Sequence, residues 1–152
     1  MKGLLKTDDD FALTIIRLTL GAVFFAHGSQ KVLGWFGGYG FSGTLGFFTQ
    51  KLGIPAAFAC LDFAAELLGG IGLILGCLTR IAAFGIACVM AVAVFMVHIH
   101  FGFFMNWGGT QKGEGFEYHI LAIALSIALI IKGGGAFSVD RALSGGAVGR
   151  QP

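Results

Sequence analysis

Residues 55–77 read PAAFACLDFAAELLGGIGLILGC, an apolar stretch that two carboxylates interrupt. About 20 predominantly apolar residues are needed to cross the hydrocarbon core of a bilayer, and this stretch has that length. Its proline stands where the first turn of a helix tolerates one. The stretch therefore predicts a transmembrane helix that carries Asp62 and Glu66 within the membrane.

Three further apolar stretches accompany it, so the sequence predicts an all-α membrane protein, a four-transmembrane-helix bundle in one domain over residues 1–152. The predicted helices cover about 11–33, 55–77, 80–104 and 116–132, with loops at about 34–54 and 105–115. No small-residue cleavage site follows the first helix, which is therefore predicted to be retained. The aromatic and glycine-rich stretch at 34–41 is typical of a membrane interface, or of a lid over a lipid-accessible pocket.

The composition excludes an ordinary soluble domain. Hydrophobic residues make up 56% of the 152 residues and charged residues 12%, against roughly 45–50% and about 25% in soluble proteins. The mean hydropathy is +0.84. A net charge of +2 with scattered basic residues predicts no nucleic-acid partner. The 26 glycines permit close packing of membrane helices.

Lysine and arginine residues are distributed unequally between the two predicted sides of the membrane. With the N-terminus inside, the inner set is Lys2, Lys6, Arg80, Lys132, Arg141 and Arg150, and the outer set is Lys31, Lys51 and Lys112. Because cytoplasmic loops carry the excess of positive residues, both termini are predicted to be cytoplasmic.

Ionisable residues within the predicted helices are the strongest indication of a functional site. Each costs at least about 2.5–3.5 kcal/mol to insert, so it needs a partner or a function. Asp62 and Glu66 are spaced i, i+4 and therefore share a helix face, as do His27 and Lys31. Two such carboxylates repel each other when both are ionised, and the pair is suited to proton transfer. Glu66 lies too deep to reach water, so it is predicted to face the bundle interior beside a cationic or hydrogen-bonding partner.

Further polar residues of the first, third and fourth predicted helices are predicted to converge with these in one layer. They are Arg17, His98, Glu117, Tyr118 and His119. Each also has a structural interpretation. In these structural interpretations, the Lys31 side chain extends toward water, Glu117 and His119 only mark the boundary with water, and Arg17 pairs with a carboxylate.

Cofactor motifs are few. His27 and His98 lie at similar predicted depth, which leaves a b-type haem as a disfavoured alternative. A metal at His98 and His100 is disfavoured because residues two apart on a helix point to different faces. No nucleotide-binding, flavin or nucleophile motif is present. The sequence predicts neither an intrinsic cofactor nor a metal site.

Several motifs, in order, resemble the DoxX family of small bacterial inner-membrane proteins over about residues 11–142. They are Arg17-Leu18, His27-Gly-Ser-Gln-Lys-Val32, Gly34-Trp-Phe-Gly-Gly38, Glu66-Leu-Leu-Gly-Gly70, Thr79-Arg80, Glu117-Tyr-His119 and Gly133-Gly-Gly-Ala-Phe-Ser-Val-Asp-Arg141. The polar positions that match are Arg17, His27, Lys31, Glu66, Glu117 and Tyr118.

The resemblance implies a multi-pass inner-membrane protein linked to quinone and thiol or oxidative-stress redox chemistry. On that reading Glu66, Asp62 and His27 are the catalytic candidates. The substrate-binding candidates are Arg17, Lys31, His98, Glu117 and Tyr118. The expected partners are the lipid bilayer, a quinone or other small hydrophobic ligand, a soluble redox protein and a second copy of the chain. Two alternatives stay open: a non-catalytic anchor or assembly factor for a soluble redox enzyme, and a small-solute or proton carrier.

Overall fold

The computed structural model describes residues 2–144, which form α-helices and two short 3₁₀ turns without any β-strand. The helices are α1 (Lys2–Leu5), α2 (Phe11–Leu33), α3 (Gly40–Gln50), α4 (Ala56–Leu75), α5 (Thr79–Met96), α6 (Glu117–Lys132) and α7 (Val139–Leu143). The all-α class is confirmed for this part of the chain. Both chain termini and Arg150, on which the predicted orientation partly rests, lie outside the described residues.

Three of these helices, α2, α4 and α5, are long and apolar enough to cross a membrane. Helix α6 has 16 residues and is shorter. Helix α2 has the predicted bounds because Asp10 caps its start, accepting a hydrogen bond from the Ala12 N–H, and Gly34 ends it with φ of 73°. Helix α4 ends at Gly76, whose φ of 68° reverses the chain toward α5.

The third predicted helix is too long, because α5 ends at Met96 and not near residue 104. Val97 has non-helical dihedral angles, and a 3₁₀ turn covers His98–Phe101. The backbone carbonyls of Gly102 and Phe103 then accept hydrogen bonds from the N–H groups of Phe116 and Glu117. In this segment, hydrogen bonds to the start of α6 therefore replace the helical hydrogen bonds that would continue α5.

The predicted loop at 34–54 contains helix α3, which the sequence analysis missed. A 3₁₀ turn at Trp35–Gly37 precedes it. Helix α3 packs on α2 and α4, and its Phe41 and Phe48 rings contact the Phe63 ring of α4 with centroids 5.7 and 5.5 Å away. The aromatic segment thus covers one end of the α2–α4 pair.

Helices α2 and α4 run antiparallel with their backbones in close contact. A Cβ atom on Gly28 would lie 2.4 Å from the backbone nitrogen of Leu67, and one on Gly70 would lie 2.5 Å from that of Phe25. Glycine is required at both positions because any side chain would collide with the facing backbone. The close approach holds residues 25–28 of α2 against residues 67–70 of α4.

A shared apolar core joins α2, α4, α5 and α6. Its buried members are Leu20, Phe24, Leu73, Ala83, Ile86, Met90, Ala122 and Leu129. Helix α6 packs chiefly against α5 and also touches α2. Four helices therefore surround one core, although only three of them have the length of a membrane span.

The segment after α6 folds back over the end of the bundle where α2 begins. The buried Arg17 donates hydrogen bonds of 2.6 Å to the carbonyls of Leu73 and Ile74 at the end of α4, and one of 2.9 Å to Gly134. The buried Asp140 accepts bonds of 2.8 Å from the N–H groups of Leu78 and Thr79 at the start of α5. These two side chains satisfy helix-end groups that would otherwise lack partners.

We expect the Gly28→Ala substitution to lower the free energy of unfolding by about 1–3 kcal/mol, since the methyl group has no space against α4. The matched control is Gly46→Ala in α3, where nothing lies within 4 Å of the added Cβ. That substitution is expected to raise stability by about 0.5–1 kcal/mol through the helix propensity of alanine. Thermal unfolding in detergent measures both. Equal effects of the two substitutions would contradict the close contact.

Candidate functional site

A cavity of about 460 Å³ lies between α2, α3, α4, α5 and α6. Most of its wall is apolar, with Phe24, Phe47, Phe48, Val89 and Met90 among the lining side chains. The polar lining residues are His27, Lys31, Asp62, Glu66, His98, Glu114, Tyr118 and His119. This central cavity thus combines an apolar body with a group of polar side chains, the usual composition of a small-molecule site.

Lys31 binds both carboxylates of α4. Its Nζ lies 2.6 Å from Asp62 Oδ2 and 2.9 Å from Glu66 Oε2. Glu66 is only 3% exposed, whereas the Lys31 and Asp62 side chains are 23% and 17% exposed. Lys31 Nζ also lies 5.2 Å from the centroid of the Phe48 ring. Lys31 is therefore the cationic partner that Glu66 was predicted to need.

Two histidines stack at the α6 side of the cavity. The ring centroids of His98 and His119 are 4.0 Å apart. His98 Nδ1 lies 2.8 Å from the carbonyl oxygen of Glu114, which fixes the ring. His119 is 5% exposed, and its Nδ1 has no hydrogen-bond partner among residues 2–144. One buried ring nitrogen therefore stays available beside the cavity.

Tyr118 and Glu117 point to different surroundings. Tyr118 lines the cavity, and its buried hydroxyl lacks a hydrogen-bond partner within the described part of the chain. Glu117 lies outside the cavity lining, and its Oε1 accepts a 2.9 Å bond from the Met105 N–H. Glu117 thus holds the loop that closes this end of the bundle.

The structure brings six of the eight predicted site residues to the cavity and places the other two elsewhere. The six are His27, Lys31, Asp62, Glu66, His98 and Tyr118. Arg17 lies at the opposite end of α2 against backbone carbonyls, and Glu117 lies beside the loop. Their proposed roles in catalysis and binding remain predictions.

Two polar lining residues, Glu114 and His119, were not among the predicted site residues. His119 was noted as polar, and its position directly after Tyr118 at the start of α6 was the available signal. Glu114 lies in the loop before α6. Its position at the cavity depends on the path of residues 102–116, and no periodic sequence pattern predicts that path. Within the described residues, no group of three or more His, Cys, Asp or Glu side chains is arranged to hold a metal ion.

The model of the DoxX family matches residues 12–99. The chain belongs to the DoxX family. The matched DoxX region contains His27, Lys31, Asp62, Glu66 and His98. The α6 side of the cavity lies beyond it. With its three apolar helices and its DoxX membership, the chain is a membrane protein.

Two curated relatives are similar to this DoxX protein over most of its length. The "Uncharacterized membrane protein Rv3486" of Mycobacterium tuberculosis is 34% identical over 150 residues, which cover 93% of this chain and 86% of the relative. The "Putative oxidoreductase CatD" of Bacillus subtilis is 30% identical over 115 residues, which cover 76% of this chain and 75% of the relative. No solved structure matches the chain.

We expect Lys31→Met to destabilise the protein strongly, since it leaves two neighbouring carboxylates without a cation. Adding Glu66→Gln to Lys31→Met is expected to recover part of this loss, with a coupling free energy of about 1–3 kcal/mol in a double-mutant cycle. The control cycle pairs Glu66→Gln with Lys51→Met, because Lys51 is exposed. Unfolding in detergent measures both cycles, and an additive result for Lys31 and Glu66 would contradict their interaction.

Proposed function

We propose that this DoxX protein binds a quinone or its hydroquinone in the central cavity, as the membrane component of an oxidoreductase system in the bacterial inner membrane. The observation that carries the proposal is the convergence of polar side chains from α2, α4 and α6 at one apolar-walled cavity. The name of the Bacillus subtilis relative, "Putative oxidoreductase CatD", supports the oxidoreductase part of the proposal.

The composition of the cavity suits a quinone head group. Such a ring carries two oxygen atoms at opposite ends, and each needs a hydrogen-bonding partner and a route for protons. Lys31, Tyr118 and the histidines supply hydrogen-bonding groups, and Asp62 or Glu66 transfers protons. The aromatic side chains of Phe24, Phe47 and Phe48 contact the ring plane. A cavity of about 460 Å³ lies within the roughly 300–1,000 Å³ of typical ligand sites.

Access from the lipid explains how a water-insoluble ligand enters. Phe47, Val92 and Met96 line the cavity, yet they are 51%, 51% and 44% exposed on the surface of α3 and α5. Side chains that belong both to the cavity wall and to the outer helix surface mark an opening between the two helices. An isoprenoid tail extends through this opening into the hydrocarbon region.

The proposal includes α6 as a fourth span with both termini in the cytoplasm. At about 1.5 Å per residue, the 16 residues of α6 rise about 24 Å, less than the ~30 Å hydrocarbon core. The exposed Phe103, Phe104 and Trp107 in the preceding loop extend the apolar layer at that end. Arg80 donates hydrogen bonds to the backbone carbonyls of Lys6 and Ile130. Arg80 and Lys6, two basic residues of the predicted inner set, therefore lie together at the other end of the bundle.

Electron transfer requires a partner. A quinone and its hydroquinone differ by two electrons and two protons, and the cavity residues supply routes for the protons alone. We therefore propose that a soluble redox protein exchanges the electrons with the bound ring.

We expect the purified protein in lipid nanodiscs to bind a decyl-tailed benzoquinone in at least one of its redox states. The Ala93→Phe substitution is expected to reduce that binding at least tenfold, because Ala93 lines the cavity and a phenyl ring there would project into the space proposed for the ligand. Equilibrium binding to the nanodiscs measures the effect. The matched control on the same helix is Cys88→Phe, since Cys88 is exposed outside the cavity.

Binding that Ala93→Phe leaves unchanged would place the ligand elsewhere. If neither redox state binds, the proposed function is wrong. The anchor or carrier alternatives would then be tested by capture of a redox enzyme and by solute uptake into proteoliposomes.

Labelling of single cysteines tests the four-span orientation. In a background with Cys60, Cys77 and Cys88 replaced by Ala, Lys112→Cys should react with a membrane-impermeant maleimide in intact cells. Arg141→Cys should react only after the inner membrane is permeabilised. Labelling of both positions from the same side would contradict a fourth crossing, since it would place the two ends of α6 together.

A further inference from the structure

We infer that the central cavity binds the hydroquinone form of its ligand more tightly than the quinone form. This inference rests on the proposed function and adds to it a preference between the two redox states. It follows from the hydrogen-bonding groups that the protein leaves unmatched around the cavity.

Hydrogen-bond donors are scarce beside α4. The Lys31 ammonium has three N–H groups, and Asp62 Oδ2 and Glu66 Oε2 lie 2.6 and 2.9 Å from its nitrogen. The ammonium is therefore directed at the two carboxylates. One cation also stands against two carboxylates, so this part of the wall carries an excess of negative charge when both are ionised.

Hydrogen-bond acceptors are abundant in the same place. Asp62 accepts a hydrogen bond from Lys31 at Oδ2, whereas Glu66 Oε2 is buried and has no hydrogen-bond partner among residues 2–144, although Lys31 Nζ lies 2.9 Å away as an ion-pair partner. An ionised carboxylate only accepts hydrogen bonds. A ligand hydroxyl pointing at these oxygens forms a charge-assisted bond, which is about twice as strong as a neutral one. A quinone carbonyl at the same position has no proton to donate and faces negative charge.

A second unmatched pair lies on α6. His119 Nδ1 and the Tyr118 hydroxyl are both buried and lack partners within the described residues. The neutral imidazole accepts a hydrogen bond at one ring nitrogen, and the phenolic oxygen accepts as well as donates. A ring with hydroxyl groups at opposite ends therefore meets acceptors on α4 and on α6. Because the Tyr118 hydroxyl can also donate to a quinone carbonyl, the preference for the hydroquinone comes from the carboxylates of α4.

A buried polar group that is left unmatched destabilises the complex, and this cost falls on the quinone complex at the α4 carboxylates. We expect the dissociation constant of the hydroquinone to be at least tenfold lower than that of the quinone. For a two-electron couple, a tenfold difference raises the midpoint potential of the bound ring by about 30 mV.

The test compares the two redox states of the decyl-tailed benzoquinone. Binding to nanodiscs is measured anaerobically at one fixed pH. The hydroquinone is expected to bind at least tenfold more tightly. Asp62→Asn and Glu66→Gln should each weaken hydroquinone binding several-fold and so lower the ratio of the two affinities, because the amide removes a charged acceptor and offers an N–H to a quinone carbonyl. Two variants are used because Asp62 is more exposed than Glu66 and its substitution is better tolerated in folding.

The control for loss of a carboxylate is Asp8→Asn, which removes an exposed charge paired with Lys132 at the far end of the bundle. It should leave the ratio of the two affinities unchanged, and only variants that stay monodisperse in detergent are compared. Equal affinities, or tighter binding of the quinone, would overturn the inference while the proposed function stands. A preference that persists in both carboxylate variants would overturn it too. Failure of both redox states to bind would instead reject the proposed function.

Discussion

The contact of Lys31 with Asp62 and Glu66 is the interaction on which the site depends. Two carboxylates within a membrane helix are tolerated only beside a cation, and α2 supplies it at 2.6 and 2.9 Å. A lysine of α2 reaches both because the two helices touch along their backbones at Gly28 and Gly70. Close helix packing and the polar site are thus consequences of one arrangement.

The two ends of the bundle differ in how their buried polar groups are hydrogen-bonded. At the end where α2 begins, Arg17 and Asp140 satisfy the backbone groups of α4 and α5. At the cavity, Tyr118 and His119 retain buried polar atoms without partners among the described residues. Such atoms are costly, and they lie together where α4 already presents two carboxylates. The hydroxyls of Thr79 and Ser126 also lack partners within the described residues, so the ligand end is distinguished by the ionisable groups gathered at the cavity and not by unpartnered atoms alone.

The sequence predicted the long helices and most polar cavity residues because each leaves a local signal. Apolar length determined α2 and α4, and the i, i+4 spacing placed Asp62 beside Glu66. The end of α5 at Met96 left no such signal, because it depends on bonds between Gly102 and the start of α6. Helix α3 was missed since its glycines and aromatic residues are equally typical of a loop. Glu114 reaches the cavity only through the path of its loop.

The excess of acceptors at the cavity also bears on the direction of electron flow in the proposed system. A site that holds the reduced ring more tightly makes the bound quinone a stronger oxidant than the quinone dissolved in the surrounding lipid. A soluble protein then reduces the bound ring more readily than it reduces a free one. In the proposed system, the carboxylates of α4 would thereby favour electron entry into the membrane at this cavity. Release of the hydroquinone through the opening between α3 and α5 becomes the step that the same interactions oppose.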